Sequence, residues 1–188
     1  MGNAVLGSVG VRLAAQATCP VVVLQGTHGE DPGTEPRRIV VGVDGSECSQ
    51  RALVFALEQG ARAVDASLVV VNSTETPTPF AVQSLVALGE RPPDGLPERL
   101  SKDMIARAEE GTAHDVDITV LCTREDPVHA LLPESATADL VVLGSRSRGG
   151  IRGLLLGSVS QGVLHRARVP VAIVPHHGVQ GVGTVGRD

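Results

Sequence analysis

The chain has 188 residues and a mass of 19.4 kDa, enough for one domain of ordinary size with a small surplus. It is 42% hydrophobic, yet Phe55 and Phe80 are its only aromatic residues, so it lacks the stacking surfaces that bind single-stranded nucleic acid. A formal net charge of -5 argues against a general DNA binder or a protein that binds anionic membranes.

The cysteine spacing and the length of the apolar runs bear on where the protein is located in the cell. Cys19, Cys48 and Cys122 show no CxxC spacing, which argues against a disulfide framework and against a zinc knuckle. No apolar run approaches the ~20 residues of a membrane helix, and no basic flank precedes a signal-like apolar segment. We therefore expect a cytoplasmic protein with neither a membrane nor a nucleic acid as its partner.

Five short segments rich in β-branched residues are predicted as strands. None of them alternates polar with apolar residues, so both faces of each strand should be covered, as in a parallel sheet. The predicted strands span 38–44, 67–72, 118–121, 139–144 and 170–174.

Segments with helical periodicity separate these strands. The first begins after Ser46, a predicted N-cap, and the second spans 97–108. The third opens at Asp126-Pro127 and should kink or end at Pro133, while the fourth opens at Ser158. Alternating strands and helices predict a doubly wound, Rossmann-like α/β fold: a five-stranded parallel sheet with helices on both faces. A loop is predicted over 74–96.

An internal repeat accounts for the surplus length. Residues 4–9 match 154–159, and residues 20–24 match 170–174, at a constant offset of 150. We interpret the first 25 residues as the last helix and strand of an upstream copy of the same domain, from a tandem parent. The alternative is a chance likeness of two capped helices that each lead into a strand. The predicted organisation is a remnant at 1–25, a linker at 26–37, the domain at 38–175 and a flexible tail at 176–188.

A ligand crevice is expected beyond the carboxyl ends of the strands, where the strand order reverses. Asp44-Gly45-Ser46 leaves the first strand there, Val71 lies near the end of the second, and Gly144 opens a glycine-rich turn after the fourth. Such a turn, running into a helix N-terminus, suits a phosphate. From Leu140 to Arg187 there is no Asp or Glu, whereas arginines occur at 146, 148, 152, 166 and 168. This asymmetry favours an anionic ligand such as a polyphosphate over the alternative, a solvated arginine-rich loop.

These motifs resemble the universal stress protein domain. The resemblance rests on VVGVDGS at 40–46 and on Gly144-x2-Ser147-x9-Gly157-Ser158, and it covers about residues 36–175. The ATP-binding branch of that family has Gly-x2-Gly-x9-Gly-Ser/Thr and an adenine-nucleotide-binding fold. Ser147 replaces the second glycine, which should cost about 1 kcal/mol and weaken binding without abolishing it.

The resemblance implies a role for each matching position. Asp44, with its neighbours Gly45 and Ser46, and the backbone near Val71 would contact adenine and ribose. Gly144 and Ser147 would lie near the ribose and the α-phosphate, while Gly157, Ser158 and Val159 would hold the distal phosphates. Arg146 is also predicted to contact the ligand, on the basis of its positive charge and not of the resemblance. A divalent ion, Mg²⁺ or Mn²⁺, would arrive with ATP because the loop has no carboxylate pair to hold it.

The residues and the resemblance together imply three alternative functions. The first is a stress-response regulator that binds ATP without fast turnover, since no general base or charge clamp is evident. The second is an interaction module with a degenerate pocket, in which the edge strand at 169–174 pairs with residues 21–24 or forms a homodimer. The third is a slow ATP hydrolase or an adenylyl-transferring enzyme.

Overall fold

The computed structural model describes residues 8–24, 36–73, 95–110, 115–146 and 156–175. Most of the predicted 74–96 loop, Ser147 and the predicted tail after Pro175 lie outside these ranges. The elements in chain order are α1 Ser8–Gln16, β1 Val21–Val23, β2 Arg38–Val43, α2 Glu47–Gly60, β3 Ala66–Ser73, α3 Leu96–Glu109, β4 Val116–Thr123, α4 Pro127–Ser135, β5 Leu140–Gly144, α5 Ser158–Arg166 and β6 Val171–Val174.

All described strands belong to one sheet with the order β1-β6-β5-β2-β3-β4. The five predicted strands, β2 to β6, are mutually parallel, which confirms the doubly wound prediction. The chain builds outward from β2 to β4 and then returns to the other side of β2 for β5 and β6. The strand order therefore reverses between β2 and β5, where an open sheet of this kind has its crevice.

Alternate side chains along the strands point to opposite faces of the sheet and pack into two separate apolar layers. Val40 and Val141 pack with α1, α4 and α5 on one face, whereas Val41 and Val142 pack with α2 and α3 on the other. Because both faces are covered, β2, β3, β5 and β6 read as largely apolar runs. The prediction of two covered faces is wrong for the edge strand β4, where Asp117 and Thr119 are exposed on one face. Among the described residues, no helix has the length and apolar character needed to cross a bilayer.

The helix starts follow the predicted capping residues. Ser46 Oγ accepts a hydrogen bond from the Ser49 N–H at 3.1 Å, at the start of α2. Asp126 Oδ1 accepts from the N–H groups of Val128 and His129, at 3.0 and 3.1 Å, at the start of α4. Pro133 lies in the last turn of α4, which ends two residues later, consistent with its predicted role as a helix terminator.

A sixth strand covers the outer edge of β6. β1 pairs antiparallel with β6, and Val21 lies opposite Ile173. The predicted pairing of residues 21–24 with the edge strand is therefore found within the chain. The two strands have no charged side chain, so the pairing covers an edge that would otherwise present an apolar ladder.

Candidate functional site

Helix α2 begins in contact with the carboxyl end of β5. A Cβ built on Gly144 would lie 2.8 Å from the Cys48 Sγ and 3.1 Å from the Cys48 carbonyl carbon. The Cys48 thiol donates to the Val174 carbonyl at 3.5 Å, which ties the first turn of α2 to the end of β6 as well. Only glycine at 144 permits this approach between the helix and the strand.

Helix α5 is held at the same edge by hydrogen bonds to residues 144 and 145. The Gly157 N–H donates to the Ser145 carbonyl at 2.9 Å, and Ser160 Oγ donates to the Gly144 carbonyl at 2.7 Å. Ser145 in turn donates its N–H to the Val174 carbonyl at 2.7 Å. The first turns of α2 and α5 therefore both meet the end of β5.

The two helix N-termini differ in how they are capped. At α2, Ser46 supplies a capping oxygen, and Asp44 Oδ1 accepts from the Ser46 N–H at 2.9 Å. At α5, the N-cap is Gly157, which supplies no side-chain oxygen, and the first turn carries no acidic residue. The N-terminus of α5 thus keeps its partial positive charge without a carboxylate to offset it, which suits an anion.

The structure brings most of the predicted site residues together. Asp44, Gly45 and Ser46 form the turn from β2 into α2, and Gly45 has a φ of 75°, a conformation that favours glycine. Gly144 ends β5, and the half-buried Arg146 follows two residues later. Gly157, Ser158 and Val159 form the start of α5. Ser147 lies outside the described residues.

Val71 is the predicted site residue whose side chain the structure places in the core. It is 2% exposed and packs with the face that α1, α4 and α5 cover. Its backbone lies inside the ladder, between Gly42 of β2 and Leu121 of β4. The next residue, Asn72, is buried and donates its side-chain N–H groups to Ser101 Oγ at 2.9 Å and to the Pro97 carbonyl. This amide fixes α3 to the end of β3.

Cys122 is the last residue but one of β4, lies beside this polar cluster and is half-buried. Burial raises the pKa of the Cys122 thiol, and the Glu98 carboxylate raises it further. A hydrogen bond with Ser101 opposes both effects. The thiol is therefore protonated and weakly nucleophilic at neutral pH.

Replacing Glu98 with Gln should make Cys122 more reactive. Removal of the carboxylate lowers the thiol pKa, so the thiolate fraction at pH 8 rises and alkylation by iodoacetamide should accelerate about twofold at low salt. A mass-spectrometric time course measures the rate at each cysteine. The exposed Cys19 is the internal control and should not change. A slower Cys122, or an equal acceleration of both thiols, would contradict the assignment.

Three residues that position the site were absent from the sequence prediction: Cys48, Ser145 and Ser160. All three are buried, at 2–4% exposure. A sequence signal existed for Ser160, a small polar residue three positions after the glycine N-cap of α5, but its hydrogen bond to the Gly144 carbonyl depends on the fold. Within the described ranges, no group of three His, Cys, Asp or Glu side chains is placed to hold a metal ion.

Comparisons with known proteins agree with this architecture. A universal stress protein of Mycobacterium tuberculosis is 35% identical over 175 residues, which cover 92% of this chain and 57% of the relative. A second from the same organism is 32% identical over 168 residues, covering 89% and 55%. The chain thus spans little more than half the length of these curated relatives.

Solved structures show the same fold. A universal stress protein crystallised in complex with cAMP has a TM-score of 0.53 and 28% identity, with coverage of 76% of this chain and 99% of that one. A universal stress protein from Archaeoglobus fulgidus has a TM-score of 0.60 at 22% identity and covers 93% of this chain and 57% of its own. The sequence profile of the universal stress protein family matches residues 35–175. This chain therefore belongs to the universal stress protein family.

Proposed function

We propose that the chain binds an adenine nucleotide, ATP foremost, between the ends of β2 and β5 and acts in stress response without fast turnover. The observation that carries the proposal is the N-terminus of α5. It has a glycine N-cap and is held by hydrogen bonds to Gly144 and Ser145, facing the edge where α2 also begins. Backbone donors fixed in this way suit a phosphate group.

The ligand's chemistry follows from the charges around this edge. No Asp or Glu occurs from Leu140 to Arg187, so this stretch contributes no carboxylate that would oppose an anion at the α5 N-terminus. Phosphates would lie against Gly157, Ser158 and Val159, with Arg146 nearby, and the ribose would lie toward Asp44. A relative that is 28% identical was crystallised with cAMP, which supports an adenine nucleotide. Mg²⁺ or Mn²⁺ would be carried by the phosphates.

The absence of fast turnover is part of the proposal. Rapid phosphoryl transfer requires a base that orients the nucleophile and a charge clamp on the transferred group. In the described part of the crevice, the carboxylate closest in sequence to a strand end is Asp44, and its Oδ1 already accepts the Ser46 N–H. This hydrogen bond assigns the carboxylate a structural role in the turn from β2 into α2, and we propose no role for it as a general base.

Equilibrium binding tests the proposal directly. Protein stripped of nucleotide should bind ATP more tightly than ADP, and ADP more tightly than adenosine, because each phosphate adds contacts with the α5 N-terminus. Isothermal titration calorimetry gives the three affinities. Lack of saturation at millimolar ATP would refute nucleotide binding, and steady phosphate release would instead support the slow hydrolase.

Two helix-cap variants separate binding from stability. Ser46→Ala and Asp126→Ala each remove a side-chain cap, so each should lower the free energy of unfolding by about 1 kcal/mol. Only Ser46 lies at the crevice, so only its replacement should also weaken ATP binding, while Asp126→Ala serves as the matched control. Urea denaturation and calorimetry measure the two quantities. Equal losses of affinity would show that Ser46 acts through stability alone.

A further inference from the structure

Of the buried polar side chains in the described part of the chain, Asn72 alone is not a serine. It is 4% exposed and is the last residue but one of β3. In the sheet it pairs with Val43 of β2, the residue before Asp44, so it lies at the edge where the crevice is formed. A side-chain amide has two N–H donors and an acceptor oxygen, and when it is buried both ends need partners.

The nitrogen of this amide is paired with α3. Asn72 Nδ2 donates to Ser101 Oγ at 2.9 Å and to the Pro97 carbonyl at 3.2 Å. Ser101 donates its own hydroxyl hydrogen to the same carbonyl at 2.9 Å, so its oxygen is an acceptor toward Asn72. A reversed amide would place Oδ1 against the Pro97 carbonyl oxygen, another acceptor. The network therefore fixes the amide with its nitrogen toward α3 and its oxygen turned from these two partners.

The oxygen of the same amide lacks a donor. Among the residues that the structure describes, both hydrogen bonds of the Asn72 side chain are made by Nδ2, and no N–H or O–H donates to Oδ1. Buried polar groups in proteins nearly always have a partner, and an unpaired amide oxygen in the interior is costly. An orphaned acceptor at the edge of a crevice indicates a ligand that brings an N–H donor.

The position of Asn72 matches the base end of the proposed nucleotide. The sheet order here is β5-β2-β3, with the proposed phosphate contacts at β5 and α5, the ribose at Asp44 after β2, and Asn72 near the end of β3. Neighbouring strands lie about 4.8 Å apart, so β5 and β3 are about 10 Å apart. A nucleotide that extends from β5 across β2 therefore brings its base to β3.

We propose that Asn72 Oδ1 accepts a hydrogen bond from the exocyclic amine of the base and thereby selects adenine nucleotides over 6-oxopurine nucleotides. The inference rests on the proposed nucleotide site and adds the side chain that reads the base. Adenine has an N–H donor at position 6, where guanine and hypoxanthine have an oxygen acceptor. That oxygen would face Oδ1, and the amide does not turn to offer an N–H because Ser101 and Pro97 hold its nitrogen.

ATP and ITP test this inference because their bases differ at position 6. Calorimetry on protein stripped of nucleotide should give binding of ATP at least about 10-fold tighter than that of ITP, since one hydrogen bond is exchanged for a repulsive contact. Adenosine and inosine should show the same ratio, because the contact lies at the base and not at the phosphates. Equal affinities for ATP and ITP would overturn the inference and leave nucleotide binding in place, whereas absence of ATP binding would overturn both.

Two variants assign the selectivity to one atom. Asn72→Leu removes the acceptor at similar volume, so ATP binding should weaken about 10-fold while ITP binding changes little, and the ratio should fall to about 1. Ser101→Ala is the matched control, because it removes a partner of Nδ2 but leaves Oδ1 and the bond to the Pro97 carbonyl. Any loosening of α3 in that variant should affect ATP and ITP alike and preserve their ratio.

The variants also define the results that contradict the assignment. A ratio preserved in Asn72→Leu would show that another group reads the base. Equal loss of the ratio in Asn72→Leu and Ser101→Ala would show that the packing of α3, and not Oδ1, sets the selectivity. The comparison of ATP with ITP in the unaltered chain needs no substitution, so it decides the inference even where Asn72→Leu fails to fold.

Discussion

Gly144→Ala is expected to lower the free energy of unfolding by about 1–3 kcal/mol, the cost of inserting one carbon into a close-packed contact. The added Cβ would lie 2.8 Å from the Cys48 Sγ and 3.1 and 3.2 Å from the Cys48 carbonyl carbon and oxygen. The thiol can rotate away, but the backbone of Cys48 is fixed in the first turn of α2. The helix must therefore shift from the end of β5, which should also weaken ATP binding at the proposed site.

Two further variants make this result specific. Cys48→Ala combined with Gly144→Ala removes the thiol contact but leaves the backbone contact, so it should restore only part of the stability. Gly60→Ala places its Cβ 3.2 Å from the side chain of Val116, which can adjust, and it also removes a glycine from a helix end. That control should be close to neutral. If the Gly144→Ala protein were as stable in urea as the Gly60→Ala protein, α2 could move away from β5 without loss of stability, and the prediction would be wrong.

The sequence predicted those features that depend on neighbouring residues. Continuous apolar runs identified the parallel strands, and Ser46 and Asp126 marked two helix starts because a cap acts within three residues. The sequence predicted a crevice where the strand order reverses. In the structure the order reverses between β2 and β5, because the chain returns to the other side of β2 after β4. The predicted strand at 118–121 is shorter than β4, Val116–Thr123, because Asp117 at one end and Cys122 and Thr123 at the other interrupt the apolar run.

The contacts that shape the site depend on tertiary packing. Cys48, Ser145 and Ser160 are small residues without a distinctive local pattern, and they acquire a role only when α2, β5 and α5 meet. Val71 illustrates the converse. The sequence predicted a ligand contact through the backbone near Val71, which stays a prediction, and the structure adds that alternation along β3 turns the Val71 side chain into the core and directs Asn72 to the other face.

The second large effect is expected when β1 is removed. A protein that begins at residue 25 should sediment as a dimer, whereas the full chain, with the β6 edge covered by β1, should sediment as a monomer. Loss of β1 exposes the outer edge of β6, an apolar edge that carries no charge. Since β1 repeats β6 and pairs with it symmetrically, a second copy of β6 can take the same register, with Val171 opposite Ile173 of the other copy.

Two proline variants of the full chain test whether the β1 ladder is the cause. Val23 faces Val171 in a hydrogen-bonded pair, so Val23→Pro removes a donor from the ladder and should release β1 and produce dimer. Val22→Pro is the matched control, because the Val22 N–H points away from β6 and proline is tolerated on the free side of an edge strand. Analytical ultracentrifugation over a concentration series distinguishes the two. If the truncated protein stays monomeric, α1 and β1 serve to stabilise the domain, and pairing through β6 is not an available mode of association.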